Sequence, residues 1–278
     1  MNPAPGGPPD RSAEPANDAG VLAFYLRVLD FLQRTGIPFL VGGGFAVERY
    51  TGIERDIHDF DVFVLPERVR DVLQQFAAAG YRTRLTHRHW LGKTFDGKDH
   101  VDIIFSSGNG VVRVDQAWFD HAPQVELFGR SVRFCPIEET LWSKSFVMER
   151  ERFDGADVLH LIRTGGATLD WDRLIERFGP FWRVLTAHLV LFGFVFPNER
   201  SKIPAHVMRD LISRLDEGDA EGPAVCMGTL LSRVQYQQAL ADGLRDGRLV
   251  SGAMTPKEIA QWTAAARRPR LGRRPKTR

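Results

Sequence analysis

From residue 21 onward the apolar residues fall at helical spacing. Leu22, Tyr25, Leu29 and Leu32 form a stripe, Phe24, Val28 and Phe31 widen it, and Gly36 closes it. Residues 37–41 then form a short unbroken apolar run, as a buried strand does. The run ends in Gly42, Gly43 and Gly44, and a short helical stretch follows. A second strand is predicted over 59–65, with Pro66 as its stop. Residues 67–79 read as a helix with Val69, Val72, Leu73 and Phe76 inward and Gly80 as C-cap. Strands follow over 81–86, 89–95 and 100–105. Asp96-Gly97 signals a hairpin, and Gly108-Asn109-Gly110 turns the chain again.

Beyond Pro136 the period becomes helical. Helices are predicted over 138–152, 156–163 (closed by Gly165-Gly166), 172–178, 182–194, 205–215, 230–244 and 256–266. The expected organisation has four parts: a disordered start over 1–19, an α/β part over 20–134, a helical part over 135–266 and a basic flexible tail over 267–278. The fold class is α/β (α+β), a mixed sheet with flanking helices followed by an all-helical part. No internal repeat is visible.

Composition sharpens this picture at a few points. The 278 residues are 43% hydrophobic, enough for a real core. The net charge of +2 is misleading, because seven of the 37 basic residues lie among the last twelve positions, which hold no acid. Without them the body is mildly acidic. The tail could attract nucleic acid or an acidic partner through counterion release, or simply remain solvated. Cys135 and Cys226 are too few for a disulfide framework and read as free thiols. The longest apolar run, 184–196, contains His188 and is short for a bilayer span, so a buried helix is expected and no membrane partner. A cytoplasmic location is expected, since a basic start followed by an apolar stretch is absent.

The candidate chemistry lies at the junctions of these elements. Glycines at a strand-to-helix turn let backbone N–H groups approach a phosphate. Asp59 and Asp61 have strand spacing, so both carboxylates leave one face. Asp102 precedes Ile103, Ile104 and Phe105 much as Asp61 precedes Val62, Phe63 and Val64. If those strands are neighbours, the three carboxylates converge. Their repulsion is relieved by a divalent cation, and hard oxygen donors favour Mg²⁺ or Mn²⁺. A nucleoside triphosphate (NTP) is the matching ligand.

The ordered series 39–47, Asp59-Phe60-Asp61-Val62-Phe63-Val64 and Val101-Asp102-Ile103-Ile104 resembles the nucleotidyltransferases of the DNA polymerase β superfamily, over roughly residues 21–130. Residues 136–144 and 151–158 are similar to the helical part of bacterial members, including abortive-infection and toxin-type proteins. The resemblance implies a nucleotidyltransferase-type mixed sheet and transfer of a nucleoside monophosphate to an acceptor hydroxyl on a small molecule, tRNA or protein. It assigns Asp59, Asp61 and Asp102 to metal binding and catalysis, with Asp102 as proton acceptor. Gly43 and Gly44 would support the phosphates. Lys144 would face them, with Asp154 or Asp157 as the later aspartate. Two departures stand out: Gly44 replaces the usual serine, and 14 residues separate Gly44 from Asp59.

Each residue also has a plainer reading. The glycines suit any tight turn, and Asp102 a strand end. Lys144 suits a solvated helix face. Asp154 suits a helix N-cap, and Asp157 a surface pair with Arg152 or Arg163. His89, Trp90 and Lys93 read as cleft lining or as packing. His87, His100 and His160 show no metal-ligand spacing. The expected function is metal-dependent nucleotidyl transfer. The alternative is a nucleotide-binding, catalytically weak member of a regulatory or toxin–antitoxin/defence pair, and a third reading is nucleic-acid binding through the tail.

Overall fold

The computed structural model describes residues 15–57, 59–216 and 223–267. The expectations for residues 1–14 and for the tail from 268 lie outside these. The first helix, α1 (Pro15–Thr35), starts before its apolar stripe, so residues 15–19, read from sequence as disordered, are helical. Pro15 suits a first helical position, because its missing N–H would have no partner there anyway.

A mixed five-stranded sheet follows. β1 (Leu40–Val41) leads into α2 (Gly43–Thr51) and β2 (Phe60–Phe63), and a 3₁₀ turn then opens α3 (Val69–Ala78). β3 (Arg82–His87), β4 (Leu91–Asp96) and β5 (Asp99–Ile104) complete the sheet in the order β1-β2-β5-β4-β3. β2 and β5 are parallel, and the other pairs are antiparallel. The Asp96-Gly97 signal does mark the β4–β5 hairpin, with Gly97 at φ 59°. The short helix α4 (Gln116–Asp120) and the hairpin β6 (Gln124–Leu127)–β7 (Arg130–Arg133) end this half.

The helical half holds α5 (Ile137–Ser145), the hairpin β8 (Met148–Glu149)–β9 (Arg152–Phe153), α6 (Gly155–Gly165), α7 (Trp171–Phe178), α8 (Trp182–Val195) and α9 (Ala205–Ser213). It ends with β10 (Val225–Cys226), α10 (Gln237–Ala241), β11 (Arg245–Asp246), α11 (Gly247–Val250) and α12 (Pro256–Arg267). Two expected helices are cut short. The helix read over 138–152 stops at Ser145, because the next residues are claimed by distant partners: Met148 N–H bonds Leu231 O, and Glu149 takes a bidentate contact from Arg233. The helix read over 230–244 is reduced to α10. Ser232 Oγ accepts the Gln235 N–H, a local bond that competes with helix, and Arg233 is drawn to Glu149.

Strand alternation divides the core. Val41, Phe60, Val62, Val101 and Ile103 face α1 and α3, together with Phe24, Leu29 and Phe76. Leu40 and Phe63 face the other way, into a second cluster built on Trp118, Leu141, Leu161, Leu185 and Phe192. Residues 171–195 are long and apolar enough to cross a membrane by composition alone. Yet Leu185, His188, Leu189 and Phe192 of α8 are buried within this second cluster's side of the protein. Cys135 and Cys226 are both free and buried.

Candidate active site

The same alternation decides where the acids go. With Phe60 and Val62 inward toward α1, Asp61 takes the opposite face, toward the helical half. Parallel register sets Asp61 against Asp102. The two carboxyls therefore leave adjacent strands on one face, as expected for the case in which these strands are neighbours. Asp59 lies just ahead of β2 and is well exposed, at 65%. His100 bridges it to the pair, with Nε2 3.6 Å from Asp59 Oδ1 and 3.5 Å from Asp102 Oδ1.

The glycine turn is fitted to Asp61. A Cβ on Gly43 would lie 1.8 Å from Asp61 Oδ2, and Gly43 holds φ 58°. Only glycine permits both this close approach and this backbone. At Gly42 a Cβ would strike Phe63 and the Cys135 thiol, while the Gly42 N–H donates to Asp61 O at 3.0 Å. Gly44 is more open, facing Ile57. The α2 N-terminus has no side-chain cap, so no capping side chain takes up its first N–H groups.

Burial is the main cause that pushes the Asp61 carboxyl up to about 7, and the Asp102 and Asp59 charges add to it. Lys144 and Arg152 pull it down, which places both cations in Asp61's surroundings. Asp102 is also raised by burial, against a hydrogen bond from Lys93 Nζ at 2.6 Å on the antiparallel neighbour strand. Among the described residues, no three acid, imidazole or thiol groups stand together closely enough to enclose a metal ion. The donor chemistry nonetheless suits a hard cation: two raised, mutually repelling carboxyls, one of them countered by Lys93 and His100.

Lys144 belongs to a charge network. Its Nζ is 3.1 Å from both Asp154 Oδ2 and Asp157 Oδ2. Asp154 sits at the N-cap of α6 but makes no cap hydrogen bond. Burial opposes its ionisation, yet hydrogen bonds from Arg152 and Lys144 hold it below the usual carboxylate range. Asp157 is not a surface partner of Arg152 or Arg163. It is buried and gripped by Arg55 through two hydrogen bonds. Arg152, on β9, is the cation that sequence reasoning missed. Its only signal was position, next to Asp154 and eight residues past Lys144.

A cavity of about 780 Å³ opens here. Gly43, Asp61, Lys144 and Arg152 line one part, and Trp90, Trp262 and Arg233 line another. Gly44, Asp59 and Asp102 are not among the lining residues. Lys93 is bound to Asp102, and His89 bonds Gly108 O at 3.0 Å. The site thus brings together Asp61, Asp102, Gly43 and Lys144. Asp59 sits at its rim, and Gly44 one residue deeper in the turn.

Over residues 25–106 the chain matches the family model for aminoglycoside-2''-adenylyltransferase. That span holds the glycine turn and all three aspartates. No curated protein matches. Among solved structures, the antibiotic-resistance factor ANT(2'')-Ia in solution is 17% identical, with 61% of this chain and 95% of that one covered at TM-score 0.43. The same protein in complex with adenylyl-2''-tobramycin is 16% identical, with 59% and 98% covered at 0.41. The lincosamide antibiotic adenylyltransferase LnuA, lincomycin-bound, is 16% identical, with 50% and 93% covered at 0.35. The fold itself is the expected α/β class, a five-stranded mixed sheet with flanking helices and a helical C-terminal part. The abortive-infection and toxin-type likeness finds no counterpart among these matches.

Proposed function

We propose that this protein transfers a nucleoside monophosphate from an NTP, ATP by analogy with the adenylyltransferases it matches, to a hydroxyl of a small-molecule acceptor. The observation that supports this most is the Asp61–Asp102 pair in register opposite the bare α-carbon of Gly43. A divalent cation, Mg²⁺ or Mn²⁺, held by Asp61 and Asp102 with Asp59 nearby, would screen the triphosphate and acidify the acceptor hydroxyl. The chain's own groups do the rest. The α2 N-terminus receives phosphate oxygens through N–H groups of Gly43 and Gly44. Lys144 and Arg152 add positive charge for the leaving pyrophosphate, and Asp154 and Asp157 hold Lys144 in place. Asp102, raised in pKa, accepts the hydroxyl proton. Phosphoryl transfer asks mainly for such positioning and charge balance.

The test is pyrophosphate release from each of the four common NTPs with Mg²⁺ and a panel of hydroxyl acceptors. Asp61→Asn should lower the rate by about 10²–10³-fold, the scale of losing a preorganised electrostatic contact. A variant as active as the wild type would remove Asp61 from the mechanism. One observation favours a second reading, nucleotide binding without turnover: Lys93 occupies Asp102. In that case calorimetry would show Mg-NTP binding while no acceptor yields pyrophosphate.

A further inference from the structure

The cavity beyond Asp61 has a charge balance and a wall of its own. Four acids line it: Asp61, Glu149, Glu151 and Asp154. Asp61 belongs to the reacting centre. Glu149 is held by Arg233 at 2.6 and 3.1 Å, and Asp154 by Arg152 and Lys144. Apart from Asp61, Glu151 is the one of the four without such a cationic clasp, and three cations, Lys144, Arg152 and Arg233, line the same space. Little negative charge remains to recognise a multiply charged cation.

The wall is aromatic instead. Trp90 and Trp262 both line the cavity and pack edge to face, with ring centroids 5.3 Å apart. His87 stacks on Trp90 at 5.7 Å, and Arg233 lies 4.6 Å from the Trp262 ring. Gly108 makes room for the indole, since a Cβ there would lie 2.3 Å from Trp262. Apolar side chains such as Phe63, Ile104, Leu230 and Val234 continue the surface. Trp262 sits on α12, which Arg248 tethers through Thr263 Oγ1 at 3.2 Å. A glycine, a cation and a tether from three separate segments all serve to hold one indole at this wall.

We propose that the acceptor is an uncharged, hydroxyl-bearing molecule with an aromatic or broad apolar face, selected by Trp262 and Trp90, and not a polycation. This deepens the reading above and rests on it. Its test is calorimetric, with the full chain. 2-Naphthaleneethanol serves as the uncharged aromatic alcohol and 1,3-diamino-2-propanol as the dicationic one, and Mg-ATP is titrated into the same samples. The aromatic alcohol should bind at least about tenfold tighter than the dication, and Trp262→Ala should weaken it by about tenfold. Trp262→Phe should keep most of the affinity. Both variants should bind Mg-ATP as the wild type does, which shows that they are folded. A tighter dication, no binding of the aromatic alcohol, or an unchanged affinity in Trp262→Ala would overturn the proposal while leaving nucleotidyl transfer standing. Loss of Mg-ATP binding by the wild type would instead strike at nucleotidyl transfer itself.

Discussion

At Asp61, backbone and side chain are locked together. Gly43 leaves its α-carbon bare against the carboxyl, and that carboxyl is half-buried, with the Asp102 and Asp59 charges near it. Its pKa rises from the ordinary 3.8 to about 7, so the folded protein holds this proton more tightly than the unfolded chain does. Stability contributed here is greatest below the unfolded pKa and falls as pH climbs from about 4 to about 7. Asp61→Asn removes the ionisation. In metal-free buffer the variant should therefore melt above the wild type at pH 8, and the gap should close toward pH 4. Equal melting temperatures at pH 8 would mean that Asp61 ionises without cost. Mg²⁺ should narrow the same gap by favouring the ionised pair. Gly43→Ala meets both the positive φ and the 1.8 Å contact. It should cost about 1–3 kcal/mol in urea unfolding and abolish turnover. These residues were legible because spacing on a strand fixes the face and glycine at a turn announces a close approach. Lys93 was not, since its partner is set by the register of two strands.

Among the elements, α5 carries Lys144 and depends on an ion ladder that no local pattern reveals. Glu139, fully buried, receives Arg173 at 2.5 Å and Arg177 at 3.0 Å from α7, and Arg177 reaches on to Asp115 at 2.6 Å. Glu138 takes the other arm of Arg173. Removing one partner from such a buried set strands the opposite charge. Glu139→Ala should therefore lower unfolding free energy by about 3–5 kcal/mol, read from the urea midpoint at constant m. A loss near that of a surface pair would mean that the arginines find water instead. The helices that pack on long apolar stripes, α1, α3 and α8, stand close to where periodicity put them. The shortened α5 and α10 do not, because ion pairs and hydroxyl bonds from distant segments outbid local propensity. For α12 the signal was present in the letters: Thr255 and Glu258 cap each other across Pro256 in reciprocal hydrogen bonds.

On the scale of the whole molecule, the site is a seam. Asp61 comes from the sheet and Gly43 from the start of α2, and Lys144 and Arg152 come from the helical half. Arg55, on the loop after α2, crosses to Asp157 on α6. The sheet's two faces feed two hydrophobic clusters, and β1 and β2 contribute to both, Val41 and Val62 to one and Leu40 and Phe63 to the other. Sequence reading expects a change of character near residue 134. It could not show that the later helices return to complete the earlier half's cavity, because such closure is a matter of long-range packing. If a nucleotide bridges the glycine turn and Lys144, as proposed, it should stabilise both clusters at once. Mg-ATP at about a hundred times its Kd should raise a single melting transition by the equivalent of about 2.7 kcal/mol. Arg55→Ala should reduce that increment, since it frees Asp157 to draw Lys144 away from the phosphates. If calorimetry shows two transitions and only the one carrying the sheet responds to Mg-ATP, the helical half does not take part in holding the triphosphate.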